Sequence, residues 1–589
     1  MEKKWLLRNT TRDISSLAKN SGVSEVTAKI LVNRGFYNEI DIKKFMRASI
    51  DDLYDPFLMK DMDKGTDLIK LAIQNKEKIV VYGDYDADGV TSTVIMYKGL
   101  KKCGANVIYH VPDREHEGYG INSDRIRKLH EEGFNVVLTC DNGIAAIDQV
   151  ELAKELGMTV IITDHHELQF EENTQGKRIF KIPCADAVIN PKQKECNYPF
   201  KQLCGAGIAF KFVQALYIKI GIDKSLVNEF IEIAGIGTIC DVVDLIDENR
   251  IIAKNALRML TNTKNIGLKY LKEILSINDK EIKCYHVGFQ IGPCINATGR
   301  LESAATSVEL LLCEEEDRAK DLAKILFELN QKRQEMTTQN VEEVIELIEH
   351  STFKNDKVLV IYKDTIHESI AGIVAGRVRE AFNVPTIILT KGKMDPKGSA
   401  RSINEYNLFE ELIKCEELLE KFGGHPMAAG LSIKEENIEK LRKKLNENCC
   451  LSDDDIIPKV RIDQRMSLSK INYEMVNELE LLEPFGKGNP SPLLAEKNVP
   501  ILKIDILGKN ANTLKIKFLM LGLNKWIDGI CFNRVEEFIE MLKDRYEDEH
   551  MSYLHSPREM KLDLIFSPQI NEYNGRKSIQ LKILEFKLS

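Results

Sequence analysis

Short apolar runs alternate with helical stretches from residue 78 onward, and this alternation constrains the fold more than any other feature of the chain. Strands separated by helices of this length form parallel, doubly wound sheets. Ligands of such sheets bind beyond the carboxyl ends of the strands. The predicted strands are Ile79–Tyr82, Asn106–Val111, Asn135–Thr139, Thr159–Thr163 and Asp186–Ile189, and the predicted helices between them are Ser92–Cys103, Ser123–Glu132 and Ala145–Leu156.

Three carboxylates follow the first predicted strand, in the sequence Asp-Tyr-Asp-Ala-Asp-Gly at residues 84–89. If this segment stays extended, alternation places Asp84, Asp86 and Asp88 toward a common side, and Gly89 opens the next helix. Three carboxylates that lie close together repel one another, so we expect a cation among them. A hard divalent ion is the natural neutraliser.

Further candidate ligands stand after the other strands. Asp141 and Asp164 each stand just past a predicted strand, and two histidines follow Asp164. Carboxylates with one or two imidazoles suit Mn²⁺ or Mg²⁺ better than zinc, and two such ions ~3.5–4 Å apart are used for phosphoryl hydrolysis. Taken singly, an Asp after a strand is often only a turn or helix cap. The predicted metal ligands and catalytic residues are Asp84, Asp86, Asp88, Asp141, His165, His166 and Asp241.

Composition narrows the class of protein. No stretch of ~20 apolar residues occurs and the amino terminus lacks the apolar core of a signal peptide, so we expect a cytoplasmic protein without a membrane span. The 13 cysteines are scattered without a Cys-x-x-Cys pair, which predicts reduced thiols and no structural zinc. The net charge of −9 does not indicate a nucleic-acid binder, although an acidic total can hide a basic groove.

Shifts in pattern predict a domain organisation. A chain of 589 residues is long enough for three or four domains. The last region, with several short strand-like runs, fits a small β-barrel. The predicted segments are a helical segment at 1–75, a catalytic α/β domain at 76–315, a connector helix at 316–352, a second α/β domain at 353–452 and the β-rich region at 456–589.

The motifs at residues 84–89, Cys-Asp-Asn-Gly at 140–143, Asp-His-His at 164–166 and Cys-Asp-Val-Val at 240–243 resemble, in order, the four motifs of the DHH phosphoesterase superfamily. The chain is most similar to the RecJ branch of that superfamily. One departure is Tyr82, where related DHH phosphatases carry a histidine. The supporting motifs lie at 117–120, 296–301, 372–377, 398–402, 423–430 and 484–490.

The resemblance implies a fold and an activity. It implies a DHH domain, a DHH-associated domain and an OB-fold. The implied activity is that of a single-strand-specific 5′→3′ DNA exonuclease, which releases 5′-mononucleotides by two-metal catalysis with Mn²⁺ or Mg²⁺ in DNA repair and recombination. Single-stranded DNA is the implied substrate. A single-strand-binding protein and a RecQ-type helicase are implied partners of a protein that we expect to be monomeric.

The resemblance also implies a set of substrate-binding residues, among which Arg300 is expected to contact a terminal 5′-phosphate. Guanidinium groups bind phosphate through two hydrogen bonds, which suits this role. The structural alternatives are that Arg377 is a helix ion-pair partner and that His425 is a core histidine. The implied substrate-binding residues are Arg114, Tyr119, Asn142, Arg300, Ser369, Arg377, Ser399, Arg401, Gly424 and His425.

Other functions stay open at this point. The nearest rival is a DHH phosphoesterase that acts on short oligoribonucleotides, 3′-phosphoadenosine phosphate or cyclic dinucleotides; a pyrophosphatase and a catalytically silent scaffold are further alternatives. Length and the β-rich region favour the exonuclease. Four aromatic residues of that region are candidates for base stacking. They are Tyr473, Phe485, Phe518 and Trp526, and each is expected to lie in the core rather than on the surface.

Overall fold

The computed structural model of the chain describes residues 3–114, 116–118, 120–172, 178–508, 510–557, 559–573 and 575–589. These residues form two compact units. The first unit contains Tyr54–Val243 and Ile252–Pro458. The second unit contains Lys3–Leu53, Asp244–Ile251 and Lys459–Ser589.

The strands, numbered in chain order, are β1 (Lys4–Leu7), β2 (Lys78–Tyr82), β3 (Asn106–His110), β4 (Val136–Thr139), β5 (Thr159–Thr163), β6 (Phe170–Glu172), β7 (Arg178–Phe180), β8 (Ala187–Ile189), β9 (Leu359–Tyr362), β10 (Thr386–Thr390), β11 (Lys397–Arg401), β12 (Leu419–His425), β13 (Ala428–Ile433), β14 (Lys459–Ile462), β15 (Gln464–Arg465), β16 (Leu494–Leu507), β17 (Thr513–Met520), β18 (Lys525–Phe532), β19 (Lys561–Tyr573) and β20 (Arg576–Leu588).

The α-helices are α1 (Ile14–Ser21), α2 (Glu25–Asn33), α3 (Glu39–Arg47), α4 (Met62–Gln74), α5 (Ala87–Lys102), α6 (Ser123–Glu131), α7 (Ile147–Glu155), α8 (Gly205–Ile220), α9 (Ile231–Cys240), α10 (Asp247–Thr261), α11 (Ile266–Ile274), α12 (Cys284–His286), α13 (Gly292–Leu301), α14 (Ala305–Leu312), α15 (Glu316–Glu349), α16 (Glu368–Phe382), α17 (Leu408–Ile413), α18 (Ile438–Glu447), α19 (Tyr473–Glu480), α20 (Val535–Tyr546) and α21 (His550–His555). A π-helical turn, Val287–Ile291, joins α12 to α13.

The first unit is built on a sheet with the strand order β3-β2-β4-β5-β8, in which every neighbouring pair is parallel. Strands that are covered on both faces consist of nearly continuous apolar residues, which explains why these segments are recognisable in the sequence. The predicted parallel sheet is confirmed. The five observed strands differ from the predicted ones by at most one residue at either end.

Helices cover both faces of this sheet, as a doubly wound fold requires. On one face, side chains of α6 and α7 share a core with Val80, Tyr82 and Val160. On the other face, Gly65 of α4 lies so close to Ile161 that a β-carbon on the glycine would touch that side chain. Helices α5 and α8 pack against each other on this second side. Helix α5 begins just after the carboxyl end of β2, so its amino terminus lies at the carboxyl edge of the sheet.

The helix after β2 begins earlier than predicted. Asp86 is the N-cap of α5, and its Oδ1 accepts hydrogen bonds from the N–H groups of Asp88 at 2.9 Å and Gly89 at 3.0 Å. Aspartate is among the preferred N-cap residues because it satisfies N–H groups that lack a partner within the helix. The helix therefore starts at Ala87, and the expectations of an extended segment through Asp88 and of a helix opened by Gly89 are wrong.

A second α/β domain completes the first unit. Its sheet has the order β12-β13-β11-β10-β9, with β9 and β10 parallel and the other pairs antiparallel. The 34-residue helix α15 leads into this domain and packs against both α13 and α16. The glycine-rich segment of the sequence forms the hairpin of β12 and β13.

The second unit contains a closed β-barrel. The sheet order is β16-β17-β18-β20-β19, and β19 pairs back to β16 to close the circle. Alternate residues of β17, such as Leu514, Ile516 and Phe518, point inward and are wholly buried. The predicted barrel is confirmed.

The amino-terminal residues 3–53 belong to the second unit, which differs from the predicted helical segment at 1–75. Strand β1 pairs in parallel with β14, and Ile30, Leu31 and Ile42 of α2 and α3 share the core of the barrel region. The apolar faces of these short helices need a partner, because isolated helices of this length are marginal in water. Residues 54–75 lie instead in the first unit.

The aromatic candidates of the barrel region divide into buried and exposed residues. Phe518 is wholly buried and Phe485 packs against the core. Tyr473 was expected in the core but is exposed, and its hydroxyl donates a hydrogen bond to the Lys577 carbonyl at 2.9 Å. Trp526 was expected in the core, but its side chain is exposed on β18. The expectation failed because outward positions of a barrel strand face solvent whatever residue occupies them.

Two expectations from composition can be compared with the structure. All of the cysteines have free thiols, as the absence of a spaced cysteine framework predicts. Within the described ranges, no helix is both long enough and apolar enough to cross a membrane.

Candidate active site

The seven predicted metal ligands come together at the carboxyl edge of the parallel sheet. Asp84 follows β2, Asp141 follows β4, and the two histidines follow β5. Their potential ligand atoms form three overlapping groups, in each of which all atoms lie within 4.8 Å of one another. These groups are Asp84 with Asp86 and Asp141; Asp88 with His165 and Asp241; and Asp141 with His165 and His166.

Buried carboxylate oxygens in this cluster lack the partners that such atoms normally have. Oδ1 of Asp84 and Oδ1 of Asp141 are buried, and neither accepts a hydrogen bond from any described residue. Asp141 Oδ1 lies 3.1 Å from Nε2 of His165, which is itself buried. Leaving charged oxygens unpaired in the interior is costly, so these atoms point to a bound cation.

The proton affinities of the cluster point to the same conclusion. Burial and the nearby carboxylates raise the pKa of Asp84 and of Asp141 well above their ordinary values. The same causes raise the pKa of Asp88 to about 6 and that of Asp241 to about 8. Burial lowers the pKa of His165 to about 3, so its ring is neutral and can act as a ligand. Oxygen-rich donors with neutral imidazole fit Mn²⁺ or Mg²⁺.

The amino terminus of α8 fixes one of these carboxylates. Asp88 accepts hydrogen bonds from the N–H groups of Gly205 at 2.6 Å and Ala206 at 2.9 Å. Helix amino termini attract negative charge, and their free N–H groups supply the donors. Gly205 is also the point of closest approach to Asp141, because a β-carbon there would lie 2.5 Å from the Asp141 Cβ atom. The sequence analysis missed Gly205, since a glycine at a helix start carries no sign of this contact.

Asp164, a candidate ligand from its place after β5, orients its neighbour instead. Its Oδ1 accepts hydrogen bonds from the N–H groups of His165 and His166 and from Nδ1 of His166 at 2.7 Å, and its Oδ2 accepts one from the N–H of Ile144 at 2.9 Å. Against the effect of burial, the bond from His166 lowers the pKa of Asp164 to about 2. The same hydrogen bond, together with the charge of Asp164, raises the pKa of His166 to about 9, although burial lowers it. The bond to Asp164 therefore fixes the orientation of the His166 ring beside the cluster.

Tyr82 and Asn142 stabilise the framework of the site. Tyr82 lies in the core on the α6 side of the sheet, and its hydroxyl accepts a hydrogen bond from the N–H of Asn122 at 3.2 Å. The phenol therefore points away from the face on which α5 and α8 pack. Asn142 is wholly buried, and its amide donates to the carbonyls of Tyr82 and Cys140. Through its Nδ2 group, Asn142, which was predicted to bind substrate, holds the ends of β2 and β4 together, while its buried Oδ1 accepts no hydrogen bond from the described residues.

A cavity of about 210 Å³ adjoins the acidic cluster, and Asp86 lines it. The remaining lining comes from α13 and its neighbours on one side, and from α16 and β11 on the other. Five of the predicted substrate-binding residues line this cavity: Arg114, Arg300, Ser369, Ser399 and Arg401. The sequence analysis named no role for the other lining residues, which are Tyr85, Asn296, Gly299, Gly372 and Ile373, although the last four lie in the motifs at 296–301 and 372–377.

Arginine residues give this cavity a strong positive charge. The Arg300 guanidinium donates a hydrogen bond to the Ser369 carbonyl at 2.6 Å. Burial, together with the charges of Arg114 and Arg333, lowers the pKa of Arg300 to about 10. Burial and the charge of Arg379 also lower the pKa of Arg401. Buried arginines that lie close together repel one another unless an anion lies between them, so they indicate an anion-binding site. Phosphate matches the geometry of their guanidinium groups.

The structure places Arg377, Gly424 and His425 outside this cavity. Arg377 is exposed on α16, with Nη1 3.9 Å from Glu380, which matches the alternative of a helix ion-pair partner. Gly424 and His425 are exposed at the end of β12, so His425 is not a core histidine. His425 pairs with Ala428, which pairs with Arg401, so two strand spacings separate it from the cavity arginine. Tyr119 lies outside the described residues.

Three family models match the chain in order. The model described as the DHH family, N-terminal domain, matches residues 78–238. The DHHA1 domain matches residues 355–449, and the RecJ OB domain matches residues 462–585. Together they account for the parallel sheet, the second α/β domain and the barrel.

Comparisons over the full length lead to one family. The chain is 37% identical over 591 residues to the single-stranded-DNA-specific exonuclease RecJ of Bacillus subtilis, covering 100% of this chain and 71% of that one. It is 30% identical over 546 residues to the Escherichia coli RecJ, covering 89% and 90% of the two chains. The crystal structure of Thermus thermophilus RecJ in complex with Mn²⁺ superposes with a TM-score of 0.80 at 25% identity, covering 99% of this chain and 79% of that one. The chain therefore belongs to the RecJ family of single-stranded-DNA-specific exonucleases.

Proposed function

We propose that this protein hydrolyses single-stranded DNA from its 5′ end and releases 5′-mononucleotides. The observation that carries the proposal is that Asp86 belongs both to the metal-ligand cluster and to the wall of the arginine cavity. A terminal phosphate bound by Arg300 and Arg401 would place the first internal phosphodiester bond beside the carboxylates. Cutting one nucleotide from an end follows from this fixed spacing.

The residues of the acidic cluster have distinct roles in this reaction. The five carboxylates and the neutral His165 would hold two ions, Mn²⁺ or Mg²⁺, which when bound lower the pKa of a water molecule and stabilise negative charge on the phosphate. His166 retains the proton on Nδ1 through its bond to Asp164. This bond fixes the orientation of the ring, and the raised pKa of His166 keeps it positively charged, which suits it to stabilise a phosphate oxygen.

The wider role of the protein rests on its family. We place the reaction in DNA repair and recombination in the cytoplasm, with a monomeric enzyme that works alongside a single-strand-binding protein and a RecQ-type helicase. The barrel offers a surface for the remainder of the strand, where Nζ of Lys517 lies 4.9 Å from the centre of the exposed Trp526 ring. Charge and an aromatic face together are typical of single-strand platforms.

The test uses 5′-labelled and 3′-labelled single strands, duplex DNA and a dinucleotide, each with Mn²⁺. We expect mononucleotides from the 5′ end of single strands only, and no product with Asp141→Ala. Cleavage of the dinucleotide while long strands stay intact would assign the protein to the small-nucleotide phosphoesterases instead.

Arg401→Ala tests the assignment of the cavity to the terminal phosphate. The lost charge-assisted hydrogen bonds should raise KM for 5′-phosphorylated strands about ten- to 100-fold, and change KM for 5′-hydroxyl strands much less. Arg377→Ala is the matched control, because that arginine is exposed and lies outside the cavity. Equal losses on both kinds of end would show that the cavity does not read the terminal phosphate.

A further inference from the structure

One continuous helical segment, from Cys284 to Leu301, runs along the active site. It consists of α12, the π-helical turn and α13. π-helical turns are rare and often mark functional positions. The two ends of the segment carry different chemistry, because the carboxyl end lines the arginine cavity and the amino end exposes two aromatic rings.

Successive residues of this segment contact first the arginine cavity and then the neighbours of the metal ligands. Arg300 lines the cavity, and Gly299 is pressed against the Tyr85 carbonyl. Asn296 accepts a hydrogen bond from the N–H of Ala87 at 2.9 Å, next to the Asp86 carboxylate. Gly292 lies against the Cys240 thiol, directly before Asp241. From Arg300 toward the amino terminus, the segment therefore passes the anion cavity first and the metal ligands next.

Beyond the metal ligands, the segment presents two stacked aromatic side chains to solvent. The rings of Tyr285 and Phe289 have centres 5.3 Å apart and planes inclined by only 25°. They are 61% and 67% exposed, whereas large aromatic groups are normally withdrawn from water. Phe289 lies roughly 16 Å from Arg300 along the helix axis at 1.5 Å per residue. The stacked geometry of the two rings shows that Tyr285 and Phe289 lie on the same side of the segment.

The loop that precedes this pair has no net charge in its sequence. The loop that precedes the segment carries Asp279, Lys280, Glu281 and Lys283, two acids and two bases. An electrostatic site for the DNA backbone would need an excess of positive charge. The rings are therefore suited to a planar, uncharged group.

We propose that Tyr285 and Phe289 form a stacking platform for a nucleobase of the single strand on the 3′ side of the scissile bond. The inference rests on the proposed function, because the order of contacts along the segment sets the direction of the strand. With the 5′-phosphate in the arginine cavity and the scissile phosphate beside the carboxylates, the strand continues toward the platform. Every base has an aromatic face, so the platform holds strands of any sequence.

The test combines variants with abasic substrates. A series of 5′-phosphorylated strands carries one abasic site at successive positions from the 5′ end. For the unaltered protein, we expect KM to rise at least about fivefold at one or two neighbouring positions, where the stacked base is missing. The double variant Tyr285→Ala with Phe289→Ala should show this rise on every intact strand and no additional rise at those positions.

Controls separate stacking from damage to the fold and from loss of the proposed activity. Tyr37→Ala removes another exposed aromatic side chain and should leave KM unchanged. Phe289→Trp keeps an aromatic face and should preserve the abasic response. The salt dependence of KM should be the same in the double variant and the unaltered protein, because no charge is removed.

Three results would overturn the proposal. One is an unaltered protein that cleaves every abasic strand equally well, and another is a double variant that keeps the position-dependent response. The third is self-association of the unaltered protein that the double variant loses, which would assign the rings to contact between copies of the chain. If the unaltered protein did not cleave single strands at all, the proposed function would fail first.

Discussion

At the scale of single residues, Asp164 shows how a side chain next to two candidate ligands can serve a different purpose. Its position after β5 made it look like a ligand, and the sequence could not reveal that four N–H donors already surround its oxygens. Partners that orient a ligating histidine tune a metal site nearly as strongly as the ligands do. Gly205 was missed for a related reason, since its contact with Asp141 exists only in the folded chain.

Asp164→Asn should reduce activity by about ten- to 100-fold, because His166 loses the carboxylate that holds its proton and its ring. Turnover at saturating Mn²⁺ and the Mn²⁺ concentration required for half-maximal activity together measure the effect. Asp186→Asn is a matched control, since Asp186 also accepts a backbone hydrogen bond, from Val160, away from the cluster. If the two variants lost activity equally, Asp164 would be only a general support of the fold.

At the scale of elements, the strands and the helices α6 and α7 were predictable to within two residues, but the start of α5 was not. Buried parallel strands have a local signature in their continuous apolar residues, and all five were found within one residue of their ends. Helix α5 was expected to open at Gly89 and its regular pattern to begin at Ser92, two and five residues after the observed start, because Asp86 fits both a strand exit and a helix cap. The bond from α8 to Asp88 joins residues far apart in the chain, so no local pattern encodes it.

Gly205→Ala should abolish most of the activity while Gly207→Ala should preserve it, although the two glycines share one helix. A β-carbon at Gly205 would lie 2.5 Å from Cβ of Asp141, whereas the closest atom to one at Gly207 would be Cδ2 of Leu203 at 3.1 Å, which can rotate away. Overpacking of this kind costs about 1–3 kcal/mol, so both proteins should fold. Thermal unfolding and exonuclease assays on the same samples would check this; comparable activity of the two variants would contradict the role of Gly205.

At the scale of the whole molecule, the sequence predicted the order of the domains but not how the chain ends combine. The amino-terminal helices share a core with the barrel region, although nearly the whole chain separates them, and a linear sequence carries no mark of such pairing. Removal of residues 456–589 would therefore expose Ile30, Leu31 and Ile42. Single substitutions on the barrel surface, such as Trp526→Ala, are the cleaner probe of DNA binding.

The stability of the whole molecule should depend on pH and metal together. The pKa of Asp88 is raised from 3.8 to about 6, and that of Asp241 from 3.8 to about 8. Raised carboxyl pKa values stabilise the fold at low pH, and this contribution is lost as pH rises through the folded-state values. We expect the Tm of the metal-free protein to fall between about pH 5 and pH 8, and the stabilisation by Mn²⁺ to grow over the same range.

Thermal unfolding with EDTA and with Mn²⁺ across this range measures both effects. Asp241→Asn should flatten the upper part of the metal-free curve, near the folded-state pKa of about 8. A Tm that stayed constant with pH in EDTA would contradict the prediction that repulsion between the ionised carboxylates destabilises the metal-free protein.

The hydrogen bond from Arg300 to the Ser369 carbonyl joins the two α/β halves across the arginine cavity. Neither half contains the whole anion site, so the preference for a particular strand end depends on residues of both halves. A chimaera that takes its parallel-sheet domain from one relative and its second α/β domain from another would keep the acidic cluster intact. Its arginine cavity would combine two halves that did not evolve together. We therefore expect the preference between kinds of DNA end to change before the activity itself is lost.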